Sequence, residues 1–138
     1  MQKKILAIDD EPDVLTFYSE VLEDENFIPI TAENGFEGVI KAREEKPDLI
    51  LLDIMMPIKS GLLTYKELKR DPDLQNIPVI IVTGISKEVD FKNMLYRAST
   101  GKIRPDGHLV KPVTADDLLE AMRKVLYESP VSDFKAAL

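Results

Sequence analysis

Short apolar runs of strand length recur five times along the chain, and segments of helical period separate them. The runs predict strands near residues 4–8, 27–31, 48–53, 77–83 and 107–111. Between the first two, Pro12 occupies a favoured first-turn position, and Val14, Phe17, Tyr18, Val21 and Leu22 recur at the spacing of one buried helix face. A second helix is predicted after Asn34-Gly35, with Phe36, Val39 and Ile40 as its apolar positions, and a third after Ser60-Gly61, with Leu62, Tyr65 and Leu68. The last predicted helix begins at Thr114 as N-cap, carries Asp117 in an acidic first turn that suits the helix dipole, and shows Leu118, Leu119, Met122 and Val125.

Strands alternating with helices imply a parallel sheet covered on both faces. Pro29 cannot donate to a ladder, which puts the second strand at an edge. The first, third and fourth strands are richest in uninterrupted aliphatics and belong in the middle. Right-handed crossovers then leave a flavodoxin-like α/β fold of order 2-1-3-4-5 as the simplest solution. A chain of 138 residues suits one such domain. Residues 1–127 are read as that domain and residues 128–138, past a helix-ending Ser-Pro, as a C-terminal tail.

The polar residues that end the strands change the picture from fold to chemistry. Asp9 and Asp10 follow Ile5-Leu6-Ala7-Ile8, Asp53 follows Leu49-Ile50-Leu51-Leu52, Thr83 follows Ile77 to Val82, and Lys111 follows Leu109-Val110. Open α/β sheets bind ligands outside the C-terminal ends of their strands, and the order 2-1-3-4-5 sets the ends of strands 1 and 3 side by side. Asp9, Asp10 and Asp53 then share a crevice, where their mutual repulsion calls for a cation. Mg²⁺ prefers oxygen ligands and typically takes one or two carboxylates. With Mg²⁺ and Lys111 the charges of the three acids balance, and an arriving phosphoryl group meets a metal, an ammonium and a hydroxyl.

Composition narrows the alternatives. Lys and Arg number 18 against 25 Asp and Glu, a formal net charge of −7, and no basic stripe offers itself to nucleic acid. Cysteine is absent, so a thiolate metal site and a disulfide framework are excluded. No apolar stretch approaches the ~20 residues that span a bilayer, and Met1-Gln2-Lys3-Lys4 runs into a strand without a signal-peptide core, so a cytoplasmic location is expected.

Four blocks together resemble the signature of response-regulator receiver domains: Lys4 through Pro12 with Asp9-Asp10, Asp53-Ile54-Met55-Met56-Pro57 with Gly61, Thr83-Gly84, and Lys111-Pro112. The resemblance covers residues 3 to about 127, in order and on the corresponding elements. It implies that Asp53 is the phosphoacceptor, that Asp10 binds Mg²⁺ directly, that Asp9 assists through water and that the Met55 carbonyl completes the metal shell. It implies further that Thr83 hydrogen-bonds the acyl phosphate, that Lys111 pairs with Asp53 and then with a phosphoryl oxygen, and that small Gly84 leaves the phosphate a path in. The donor would be a phosphohistidine on a sensor histidine kinase or phosphotransfer protein, and the output a change of contacts with a downstream protein target. The resemblance is to a signalling domain that promotes only its own phosphorylation and dephosphorylation.

Two positions depart from that pattern. Receivers usually carry an aromatic residue three places before the last-block lysine, and here it is His108, the chain's one histidine. It is read as a partly exposed strand residue rather than a switch. The stretch Ser99 to Gly107 is longer and more basic than the usual turn, which obscures the end of a fourth helix and the face where receivers often meet partners or form a homodimer. Other readings fare worse. A haloacid-dehalogenase-type phosphatase needs a second Asp two places after the nucleophile, where Met55 stands; a flavin phosphate would be repelled by Asp9-Asp10-Glu11. A receiver-like interaction module that is not regulated by phosphorylation would not need the intact set of acids, Thr and Lys.

Overall fold

The computed structural model describes residues 2–84 and 105–128. Five parallel strands, β1 (Lys4–Ile8), β2 (Ile28–Ala32), β3 (Leu49–Asp53), β4 (Val79–Thr83) and β5 (Gly107–Val110), form one sheet in the order β2-β1-β3-β4-β5. Four helices are described: α1 (Pro12–Asp24), α2 (Gly35–Glu45), α3 (Gly61–Arg70) and α4 (Ala115–Tyr127). The expected flavodoxin-like arrangement is therefore the observed one. The tail assigned to residues 128–138 falls, after Glu128, outside the described residues, as does the helix expected between β4 and β5.

Alternation along the strands divides the core into two layers. On one face Leu6, Ile8, Ile50, Leu52 and Ile81 pack with Val39 and Ala42 of α2 and Tyr65 and Leu68 of α3. On the other, Ile5, Ala7, Leu49, Leu51 and Ile80 pack with Leu15, Tyr18 and Leu22 of α1 and Leu118 and Met122 of α4. Every residue of β3 and β4 is buried, as strands covered on both faces must be. β2 bonds only to β1, with Pro29 opposite Ile5, so its proline sits at an edge.

Helix starts follow the sequence signals. Asn34 accepts from Glu37 N at 2.9 Å, Ser60 from Leu63 N at 3.2 Å and Thr114 from Asp117 N at 3.1 Å, each supplying an acceptor for an otherwise unpaired first-turn amide. α2 departs from expectation. Phe36 and Ile40, read as its apolar positions, are mostly exposed, while Gly35, Gly38, Val39 and Ala42 face inward. The reason is close approach: a Cβ on Gly38 would lie 2.4 Å from the Ile8 side chain, and one on Gly35 would lie 2.1 Å from Thr64 Oγ1. A helix seated that tightly buries its small residues and turns its large ones outward.

Register carries the fold's consequence to the site. β1 and β3 run side by side, Ile8 opposite Leu52, so the residues after them, Asp9 and Asp53, emerge together. β3 pairs with β4, Asp53 opposite Val82, and β4 with β5, Thr83 opposite Val110. The five polar residues singled out in the sequence thus leave the sheet at neighbouring positions along one edge. None of the described helices is long and apolar enough to cross a membrane.

Candidate functional site

Asp9 and Asp53 are held by the same local device. Asp9 Oδ1 accepts from Glu11 N at 2.9 Å and Asp53 Oδ1 from Met55 N at 3.0 Å, so each carboxylate turns back on the amide two residues ahead. That fixes both side chains and commits one oxygen of each. The other oxygens face Lys111, whose Nζ lies 2.9 Å from Asp9 Oδ2 and 3.5 Å from Asp53 Oδ2. Both acids are nearly inaccessible, at 1% and 2% exposure. Asp10 is the less buried member, and the three acids offer ligand oxygens within 4.8 Å of one another.

Lys111 is positioned through its backbone, its N donating to Thr83 O at 2.8 Å. The same bond brings the ends of β4 and β5 together and sets Lys111 against the acids, beside a fully buried Thr83. Gly61 sets the floor. Its N donates to Ile54 O at 3.1 Å, and a Cβ there would lie 2.3 Å from Asp53 O, so only glycine lets α3 begin directly over the end of β3. A Cβ on Gly84, by contrast, would meet none of the described residues within 4 Å.

The electrostatics follow from burial. Desolvation above all, then the Asp9 charge, pushes the Asp53 carboxyl up to about 7, although the Met55 amide and Lys111 pull it down. Burial tends to lower the Lys111 ammonium, but its hydrogen bonds to Asp9 and Glu11 and the Asp53 charge outweigh that and hold it above the usual lysine range. One ammonium is therefore shared among more negative charge than it can neutralise. The arrangement fits Mg²⁺: hard oxygen donors on two loops, one of them exposed enough to keep metal-bound waters, and a charge deficit that a divalent cation removes.

Of the residues that sequence reasoning placed together, the structure groups Asp9, Asp10, Asp53 and Lys111 and sets Thr83 at the end of the adjoining strand. Met55 lies beside the acids, its amide donating to Asp53 Oδ1, and is itself an exposed residue. His108 is an exposed residue of β5, opposite Ile81, and it lines a shallow groove with Asp117, Glu120 and Lys124 of α4. Glu11 was given no role from the sequence, yet its Oε1 lies 3.1 Å from Lys111 Nζ. Its signal was position, since a third acid beside Asp10 faces the same cation. Asp48, an exposed residue, accepts from Lys4 N at 2.8 Å and ties β1 to the start of β3.

The family model for the response regulator receiver domain matches residues 5–123. Protein PilH of Pseudomonas aeruginosa is 37% identical over 123 residues, covering 89% of this chain and 97% of that protein. The polar-differentiation response regulator DivK of Brucella anthropi is 32% identical over 129 residues, covering 91% of this chain and 98% of that protein. Among solved structures, the chemotaxis response regulator CheY4 of Vibrio cholerae superposes with a TM-score of 0.80 at 26% identity, over 91% of this chain and all of that one.

Proposed function

The chain belongs to the response-regulator receiver family, and we propose that in this member Asp53 takes a phosphoryl group from a phosphohistidine donor in a Mg²⁺-dependent reaction and so switches protein contacts. Receivers of the PilH, DivK and CheY type act in two-component signalling. The observation that carries the finer reading is the buried Asp53 carboxylate, with Asp9 and Asp10 within metal-sharing distance and Lys111 Nζ 3.5 Å from its Oδ2. Residues 1–127 form the receiver in this reading, and residues 128–138 its tail.

Phosphoryl transfer asks a protein for in-line positioning and charge neutralisation rather than elaborate covalent chemistry. An Asp53 oxygen forms the new O–P bond as the P–N bond of the donor breaks, and the imidazole leaves with that electron pair. Asp9, Asp10, Asp53 and the Met55 carbonyl would hold Mg²⁺, which supplies charge neutralisation for the phosphoryl oxygens. Asp53 Oδ1 stays anchored on the Met55 amide, which limits rotation during attack. Lys111, released in part from Asp53, pairs with a phosphoryl oxygen, and Thr83 hydrogen-bonds another. The partners are a sensor histidine kinase or phosphotransfer protein and a downstream protein target, met in the cytoplasm.

Incubation with acetyl phosphate and Mg²⁺ should add one phosphoryl group by intact mass, and excess chelator should abolish the addition. Labelling that persists in chelator would overturn the metal's role, and labelling that persists in Asp53→Asn would overturn the acceptor.

A further inference from the structure

Glu11 stands at the N-cap of α1, yet its side chain does not cap the helix. Residues favoured at that position carry a short side-chain oxygen that accepts a first-turn amide. Here the backbone does that work, Glu11 O accepting from Val14 N at 3.1 Å and from Leu15 N at 3.2 Å. Its own N donates to Asp9 Oδ1 at 2.9 Å. The main chain is thus fixed on both sides of Glu11, and helix stability does not account for where the carboxylate points.

The carboxylate turns to Lys111. Glu11 Oε1 accepts from Lys111 Nζ at 3.1 Å, while the same Nζ lies 2.9 Å from Asp9 Oδ2 and 3.5 Å from Asp53 Oδ2. In the metal-free protein the ammonium therefore sits closer to Asp9 and Glu11 than to the acceptor carboxylate. Asp9 and Asp53 belong to the cluster of acids that can share a metal; Glu11 is exposed and outside it. Its negative charge on Lys111 has two effects. It occupies one of the three ammonium protons, and it repels an anion arriving beside it.

We propose that Glu11 is a positioning residue that acts through Lys111, holding the ammonium in the resting arrangement and opposing its transfer to a phosphoryl group on Asp53. The role rests on Asp53 as the acceptor. Neither partner of the pair is fully buried, so the effect is that of a partly solvated ion pair, modest in size. A neutral side chain of the same shape leaves Lys111 to Asp9 and Asp53 and removes the repulsion. The site then takes a phosphoryl group more readily, although no atom that touches that group has changed.

The test compares the full-length chain with Glu11→Gln and with Asp13→Asn, which removes an equal charge from the cleft that Glu11, Asp13 and Lys111 line together. The Lys111 ion pairs go to Asp9, Glu11 and Asp53, not to Asp13. In metal-free protein, Glu11→Gln should move the side-chain ammonium ¹⁵N resonance of Lys111, and Asp13→Asn should leave it in place. With saturating Mg²⁺, Glu11→Gln should tighten binding of beryllofluoride, a stable phosphoryl mimic, by about two- to fivefold, and Asp13→Asn should change it less. An unmoved Lys111 resonance overturns the contact. Beryllofluoride affinity that is unchanged or weaker in Glu11→Gln, or raised as much by Asp13→Asn, overturns the role of Glu11 alone. A wild-type chain that binds no beryllofluoride overturns the acceptor reading, and this role with it.

Discussion

Replacing Asp53 with asparagine should stabilise the metal-free protein, and the gain should grow with pH. The folded-state carboxyl titrates at about 7 because burial and Asp9 disfavour its charge, whereas an unfolded aspartate titrates near ~3.9. Between those values the folded chain binds more protons than the unfolded one, so stability falls as pH rises through that window. At ~1.36 kcal/mol per unit, the ionised side chain destabilises the fold by about 4 kcal/mol at pH 8 and by about 1–2 kcal/mol at pH 5. The first figure is a ceiling, since relaxation and water penetration reduce the penalty of burying a charge. Asparagine resembles the protonated form, and its carbonyl oxygen can still accept from the Met55 amide. Urea denaturation in chelator at pH 5, 6, 7 and 8 should therefore show the variant ahead at every pH, with a margin at pH 8 about 2–3 kcal/mol larger than at pH 5. Saturating Mg²⁺ should stabilise the wild type selectively and narrow the margin. A margin independent of pH, or a variant less stable than wild type at pH 8, would refute the electrostatic account of the site.

Lys111→Ala should destabilise metal-free protein by about 1–3 kcal/mol, because Asp9 and Asp53 lose a shared cation within 3.5 Å; Mg²⁺ should restore much of it, and chemical denaturation with and without the ion reads both. Gly38→Ala should cost roughly 1–3 kcal/mol, since the new methyl would lie 2.4 Å from Ile8; an unchanged melting temperature would mean that α2 can shift freely. Asp10→Asn should weaken Mg²⁺ binding more than Asp9→Asn, as the less buried acid is the one able to bind the hydrated ion directly; calorimetric titration ranks them.

Much of this was written in local pattern. A parallel sheet declares itself in strands without alternation, Pro29 marks its edge, and strand-end residues must be functional or capped, so Asp53 and its neighbours could be located before any coordinates. What stayed hidden depends on distances between helices. Phe36 and Ile40 have the period of a buried face, but Gly35 and Gly38 let α2 sit so close that the buried face is made of small residues. Glu11 needed the position of Lys111, which is 100 residues away in sequence and adjacent in space.

The identity of the acceptor can be read chemically. Borohydride reduces an acyl phosphate of aspartate to homoserine, so protein treated with acetyl phosphate and Mg²⁺, reduced, digested and sequenced by mass spectrometry should carry homoserine at position 53 and at no other acid, with none in the chelator control. Homoserine at Asp9, Asp10 or another carboxylate, or a phosphorylated chain with position 53 still aspartate, would contradict Asp53 as the phosphoacceptor.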